Sequence, residues 1–442
     1  MVDGQEKLFH LRTFGCQMNE YDSDLLTDLL VSKGWKKTGE PSRSNLIIYN
    51  TCSVREKAEQ RALAHIRNSA AIKQQKPDIK LIVIGCMAQR VGEYLVESCP
   101  EIDFVLGPDY LYMLPDLVYN GFSSEKVYTS LAESSKELRE LFNPSIISGA
   151  KDISAFVAIS RGCENFCSYC IVPHVRGPVG NRKSKDIMGE VKALVSHGVM
   201  EITFLGQNVN AYREGDTDFA DLLRMAGEIE GLKRIRFTTS HPKDVSEKLF
   251  AVMAEIPAVC EHLHLPLQSG SDRILSLMNR GYSLRQYKDS IDIARDLMPD
   301  LCLTTDLIAG FPTETEEEFE MTLRAVEEIG FDAAFMFRYS NRPGTAAAKI
   351  EDYLTDEVRI KRLNKLIRLQ QNCARQSNQR LLGNLSEVLI DGKSKKDSSE
   401  LKGKDRGGRT VVVKNSRNLK VGDIINVKIN QADSWTLTAE QL

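Results

Sequence analysis

The 442-residue sequence contains no apolar run approaching the ~18 residues that a membrane span requires, which excludes a transmembrane helix. Its first residues, MVDGQEKLFH, lack the charged-then-apolar layout of a secretion signal, so a cytoplasmic protein with no membrane partner is expected. No repeat of short fixed period is present, which argues against a solenoid. The composition also lacks any bias toward disorder or collagen, since 42% hydrophobic and 27% charged residues are those of an ordinary globular protein. Net charge is nearly absent too, at -3, but it is unevenly spread. Residues 374–442 carry 13 Lys and Arg against 8 Asp and Glu, a net of +5, which leaves -8 for the residues before them. A basic tail on an acidic body fits a polyanionic partner, with a solvated charged face as the competing reading.

The length exceeds one ordinary core, by the rough rule of about 100 to 200 residues per domain. FHLRTF, NLIIYNT and KLIVIG read as strands, each followed by a helical pattern such as residues 22–32 or 54–71, and a weaker strand, DFVLG, precedes a short helix. That alternation predicts an open parallel α/β sheet in residues 1–140. Residues 129–153, with polar and charged clusters around Pro144 and Gly149, read as a linker. The alternation then restarts: ISAFVAIS, EITFLG, RIRFTT, HLHLPL, CLTTDLIAG and FDAAFMFRY are separated by helical stretches including 187–196, 219–229 and 316–329. Six such units predict a (βα)6 partial TIM barrel over residues 149–375, with its chemistry at the carboxyl ends of the strands. A Pro-free basic stretch, 356–382, reads as one long helix. In residues 376–442 the runs LSEVLI, RTVVVK and DIINVKI predict a small OB-like β-barrel, so the fold class is α/β with an appended β-barrel.

Ten cysteines in a chain expected to sit in a reducing compartment bind metal or do catalysis more readily than they form a disulfide framework. Cys163, Cys167 and Cys170 form C-x3-C-x2-C directly after the first barrel strand. Three thiolates on a short loop can wrap three corners of a cubane 4Fe-4S cluster and leave the fourth iron open for chemistry. A structural zinc site completed by His174 is the competing reading. Cys16 follows LRTFG, Cys52 follows IIYNT and Cys86 follows IVIG, so each lies just past the carboxyl end of a predicted parallel strand. Those ends share one crevice, where three cysteines remote in sequence can meet; small buried cysteines ending three strands by chance is the alternative. Cys99, Cys260, Cys302 and Cys373 fit no such pattern and read as buried hydrophobes.

The spacing of Cys163, Cys167 and Cys170 resembles that of the radical S-adenosylmethionine superfamily, which implies a 4Fe-4S cluster on these thiols with S-adenosylmethionine on its open iron. The resemblance places Tyr169 against the adenine, and LGQN, LPLQSGS and TTDLIAGFPTET resemble the segments holding the amino acid and ribose parts, which makes Gln207, Gln268, Ser269 and Asp306 the residues to examine. FGCQMNEYDSD, NTCSVREKAEQR, GCMAQR, RGCENFCSYCIVPHVRG and LHLPLQSGSDRIL together resemble the radical S-adenosylmethionine methylthiotransferases, with an N-terminal cluster domain, a radical barrel and a C-terminal TRAM domain. LGQNVNAY, FTTSHPKD and FRYSNRPGTAAA are most similar to the branch acting on isopentenylated adenosine beside the tRNA anticodon. Branches acting on threonylcarbamoyladenosine or on a ribosomal-protein aspartate are the nearest alternatives, and an iron-sulfur carrier with an RNA-binding tail is one of another class. One departure stands out: this branch usually has an acidic residue where the chain has Val179, and Asn181 departs as well, while Arg182 is kept.

Membership implies two 4Fe-4S clusters, one on Cys163, Cys167 and Cys170 generating the radical, and one on Cys16, Cys52 and Cys86 supplying sulfur. S-adenosylmethionine is implied as both methyl donor and radical source, and an electron donor and a cluster-repairing sulfur carrier as partners of a monomer. Radical chemistry suits the reaction, because the hydrogen on carbon 2 of adenine is not acidic and positioned acids and bases give only about 100- to 10,000-fold help. The tail's Lys393, Lys395, Lys396, Lys402, Lys404, Arg406 and Arg409 are expected to grip RNA phosphates.

Overall fold

The computed structural model describes residues 6–53, 56–120, 125–131, 152–414 and 418–441. Residues 132–151 of the expected linker lie outside them. The N-terminal region is a six-stranded, all-parallel sheet in the order Lys36–Lys37, Leu8–Thr13, Leu46–Thr51, Lys80–Gly85, Phe104–Leu106, Val127–Tyr128. Leu46–Thr51 is buried at every position because helices cover both faces, which is why its sequence runs apolar without alternating. Ile47 and Tyr49 pack with Leu81 and Val83 on one face, and Leu46 and Ile48 with Phe9 and Ile82 on the other. Each such apolar side chain contributes about 1.5–3 kcal/mol by leaving water. The helix expected over 22–32 starts earlier, as Gln17–Ser32, with Cys16 as its N-cap residue.

The second region has the six expected strands: Ser154–Ala158, Glu201–Leu205, Arg234–Phe237, His262–His264, Cys302–Ala309 and Ala333–Arg338. They form two parallel three-stranded sheets joined through the single bridge Ile235–Val259, and the first and last strands do not pair with each other. The barrel is therefore partial and open. Ile202, Phe204, Ile235, Phe237, Leu263 and Leu303 pack under the surrounding helices, which turns the alternate residues Thr203, Arg236, His264, Thr304 and Asp306 toward the interior. Helix Glu316–Ile329 matches its expected bounds, stopped at one end by the Thr315–Glu318 capping box and at the other by Gly330.

Helix Asp356–Gln379 packs on the barrel through Arg359, Arg362 and Leu366, and the boundary expected between residues 375 and 376 falls inside it. The tail is a closed five-stranded barrel, adding Leu401–Asp405 and Thr436–Gln441 to the three runs read from sequence. Its loop at Asp405–Arg409 plugs the amino end of the large barrel. Arg234 donates to Lys404 O at 2.7 Å, Arg236 to Arg406 O at 2.8 Å, Arg406 to Glu261 at 2.7 Å and Arg409 to Asp332 at 2.6 Å. Four of the seven basic residues expected to grip phosphates are thus engaged within the chain: Arg406 and Arg409 as above, Lys402 with Asp391 at 2.5 Å and Lys404 with Thr410 at 2.8 Å. Lys393, Lys395 and Lys396 remain exposed. Among the described residues no helix is long and apolar enough to cross a membrane.

Candidate cluster and substrate site

The strands Leu8–Thr13, Leu46–Thr51 and Lys80–Gly85 are adjacent and parallel, so Cys16, Cys52 and Cys86 come to one end of three neighbouring strands. The glycine before two of these cysteines has a geometric reason. Gly15, at φ +119°, lies so close to Cys52 that a Cβ there would sit 2.8 Å from its sulfur. Gly85, at φ +97°, lies against Thr51 O, where a Cβ would come within 2.5 Å. Cys86 is 3% exposed, and burial pushes its thiol up while Arg176 pulls it down. Arg176 Nε donates to Cys86 Sγ at 3.3 Å, and its Nη2 donates to Asn19 Oδ1 at 2.9 Å and Asp22 Oδ2 at 3.1 Å. The sequence reading missed this arginine's role, although it stands in the quoted HVRG segment.

Cys163, Cys167 and Cys170 occupy the loop after the first barrel strand, and Cys163 and Cys167 are each 8% exposed. Burial pushes the Cys170 thiol up to about 12, so it keeps its proton unless a cation takes the proton's place. Cys167 has two polar neighbours that sequence reasoning also missed. Arg280 Nη1 donates to its sulfur at 3.3 Å, and His241 Nε2 lies 3.9 Å away. Burial first, then Arg280, pushes His241 down to about 2, so the ring is neutral. Lys243 N–H donates to its Nδ1, which places the ring proton on Nε2, facing the sulfur. His174 is exposed on helix Val172–Arg176, away from the buried cysteines of its loop, and among the described residues no three His, Cys, Asp or Glu side chains, those of the two cysteine triplets included, are drawn together as closely as a bound metal ion would hold them.

The ends of successive barrel strands hold buried polar atoms without an intrachain partner: Gln207 Oε1 and Asn208 Oδ1, then Ser240 Oγ, Gln268 Oε1 and Tyr339 OH. Buried polar atoms are normally paired, so this face fits a polar ligand. Backbone strain gathers here too, with φ of +67° at Thr239, +70° at Gln268 and +46° at Phe166, at roughly 1–3 kcal/mol each. Tyr169 packs with Ile274, Met278, Phe311 and Tyr339, and its hydroxyl accepts from Arg280 at 3.4 Å. Asp306 lies 3.6 Å from His264 Nε2 on the barrel interior. Ser269 is placed differently: it is fully buried, 3.4 Å from the Thr322 hydroxyl, and accepts from Ser271 N at 3.2 Å, so its hydroxyl shapes the loop. Val179 carries no carboxylate, but its N–H donates to Glu164 at 3.3 Å. Asn181 donates to Arg213 O at 2.9 Å, and the retained Arg182 is buried with Glu190 at 2.6 Å.

Comparison with known proteins divides the chain along the same lines. Residues 157–326 match the radical SAM superfamily, residues 8–107 match uncharacterized protein family UPF0004 and residues 379–442 match the TRAM domain. The chain is 41% identical to the tRNA-2-methylthio-N(6)-dimethylallyladenosine synthase of Thermodesulfovibrio yellowstonii over 98% of each chain. It is 42% identical to the synthase of the same name from Bacteroides thetaiotaomicron, over 100% of this chain and 97% of that one. Among solved structures, the radical S-adenosylmethionine methyltransferase TsrM from Kitasatospora setae superposes with a TM-score of 0.61 at 15% identity, over 78% of this chain and 77% of that one, a likeness of fold. On full-length identity and on the three matched domains, the chain belongs to the radical S-adenosylmethionine methylthiotransferases represented by the tRNA-2-methylthio-N(6)-dimethylallyladenosine synthases.

Proposed function

We propose that the chain places a methylthio group on carbon 2 of N6-isopentenyladenosine next to the anticodon of tRNA, giving 2-methylthio-N6-dimethylallyladenosine. The observation that carries this reading is full-length identity of 41–42% to synthases of that name. As a radical S-adenosylmethionine enzyme it uses a 4Fe-4S cluster and S-adenosylmethionine. In this reading Cys163, Cys167 and Cys170 hold that cluster, and Cys16, Cys52 and Cys86 hold a second. When bound, the first supplies the electron that splits S-adenosylmethionine into methionine and a carbon radical, and the second carries the sulfur.

The chain's own residues do the rest. Arg280 and His241 aim two N–H donors at Cys167, which holds that thiolate in one orientation. Gln207, Gln268 and Asp306 offer polar atoms to S-adenosylmethionine at the strand ends, and Tyr169 lays its ring along the adenine. The tRNA backbone meets the exposed Lys393, Lys395 and Lys396, whose charges grip phosphates without reading sequence. An electron donor and a sulfur carrier that restores the second cluster complete the cycle. The test is an assay of the anaerobically reconstituted chain on isopentenylated anticodon stem-loop RNA. Mass spectrometry should show a gain of one methylthio group, and a product on threonylcarbamoyladenosine RNA alone would reassign the substrate.

A further inference from the structure

The two cysteine triplets are tied together by one short piece of chain. Cys170 is followed by Ile171 and then by helix Val172–Arg176. Ile171 and Val175 pack against Cys86, the last cysteine of the N-terminal triplet. The helix ends on Arg176, which is 2% exposed and whose guanidinium reaches Cys86 Sγ, Asn19 Oδ1 and Asp22 Oδ2 at 3.3, 2.9 and 3.1 Å. All three acceptors belong to the other domain. Asp22 also pairs with Arg161, so the guanidinium is fixed by a buried network at the junction of the two domains.

We propose that Arg176 is a positioning residue of the N-terminal triplet: delivered from the radical domain, it donates a charge-assisted hydrogen bond to the Cys86 thiolate, sets the reduction potential of the cluster held there and fixes the separation of the two triplets. The inference rests on the reading that Cys16, Cys52 and Cys86 hold a cluster. A hydrogen bond to a ligating sulfur draws electron density from it and favours the reduced state, so losing the donor lowers the potential. Asn19 and Asp22 hold the guanidinium through Nη2, the nitrogen beside Nε, which keeps Nε directed at the sulfur. Lysine keeps the charge but presents its donors from a single atom instead of a rigid planar fork of two nitrogens, so it replaces arginine only in part.

The test uses the full chain carrying Cys163→Ala, Cys167→Ala and Cys170→Ala, so that only the N-terminal triplet can take up iron. After anaerobic reconstitution, iron, sulfide and the midpoint potential are measured with Arg176 intact and with Arg176→Met and Arg176→Lys. Absence of iron with Arg176 intact overturns the reading of the triplet itself. With the cluster present, Arg176→Met should make reduction at least tenfold less favourable, about 59 mV lower for a one-electron couple, with Arg176→Lys in between. If the methionine variant fails to fold or loses its iron, the lysine variant decides by a smaller shift in the same direction. An unchanged midpoint in a variant that retains its cluster overturns the proposal.

Discussion

Cys16 and Cys170 both belong to cysteine triplets, and the proposed function gives them different consequences when removed. Cys16→Ala should spare cleavage of S-adenosylmethionine, read as 5′-deoxyadenosine, while abolishing methylthiolation; Cys170→Ala should abolish both. Methylthio product from the Cys16→Ala protein would refute the sulfur role of its triplet. Gly15 makes the same point through geometry. A Cβ there would meet Cys52 Cβ at 2.3 Å in a backbone conformation that costs a side chain about 1 kcal/mol or more. Gly15→Ala should therefore lose methylthio product while 5′-deoxyadenosine persists, as measured on one reconstituted sample by chromatography of both. The placement of the six cysteines was legible in the sequence, because each stands at the end of a strand or in a tight spacing. Arg176, Arg280 and His241 were not, because a side chain reaching 90, 113 or 74 residues along the chain to a sulfur leaves no periodic mark.

Among the elements, the long apolar strands were read correctly because burial on both faces leaves no polar alternation to confuse them. The tail strand Leu401–Asp405, LKGKD, was missed because its lysines turn to partners on the neighbouring strands, and that contact is invisible before the barrel closes. The same closure reassigns the tail's charge. Deleting the tail would strip the buried Arg234 and Arg236 of their carbonyl partners, so substitution at exposed sites is the cleaner probe of RNA binding. Changing Lys393, Lys395 and Lys396 together to Ala should weaken tRNA binding and lower the slope of log affinity against log salt by about 2. An unchanged slope places the RNA contact elsewhere. Under the plug, His262 is held neutral, its pKa pushed down to about 3 chiefly by burial and then by Arg236. The unfolded ring takes a proton near pH 6.5, so folding must release it between about pH 6.5 and 3, and stability falls as pH drops through that window. His262→Gln should remove up to about 2 kcal/mol of the stability lost between pH 6.5 and 5, measured by urea unfolding at both values. Equal losses in the two proteins would show that His262 is not the group responsible.

For the molecule as a whole, three domains in order were readable from the alternation of strands and helices and its change to short β runs after Gly383. Their docking was not. It depends on ion pairs at the junctions, namely the buried Asp22 with Arg161 and Arg176 on one side of the barrel, and the half-buried Arg406 with Glu261 and Arg409 with Asp332 at its floor. The tail closes the amino end of the barrel, while the N-terminal domain meets it near the carboxyl ends of the strands, where both cysteine triplets lie. The proposed function gives each triplet its own cluster, and counting iron and sulfide on the anaerobically reconstituted chain, together with Mössbauer spectra, decides whether it does. Two 4Fe-4S clusters per chain, falling to one when either triplet is changed to Ala, are the predicted result; zinc, or a single cubane that survives loss of Cys163, Cys167 and Cys170, would contradict it.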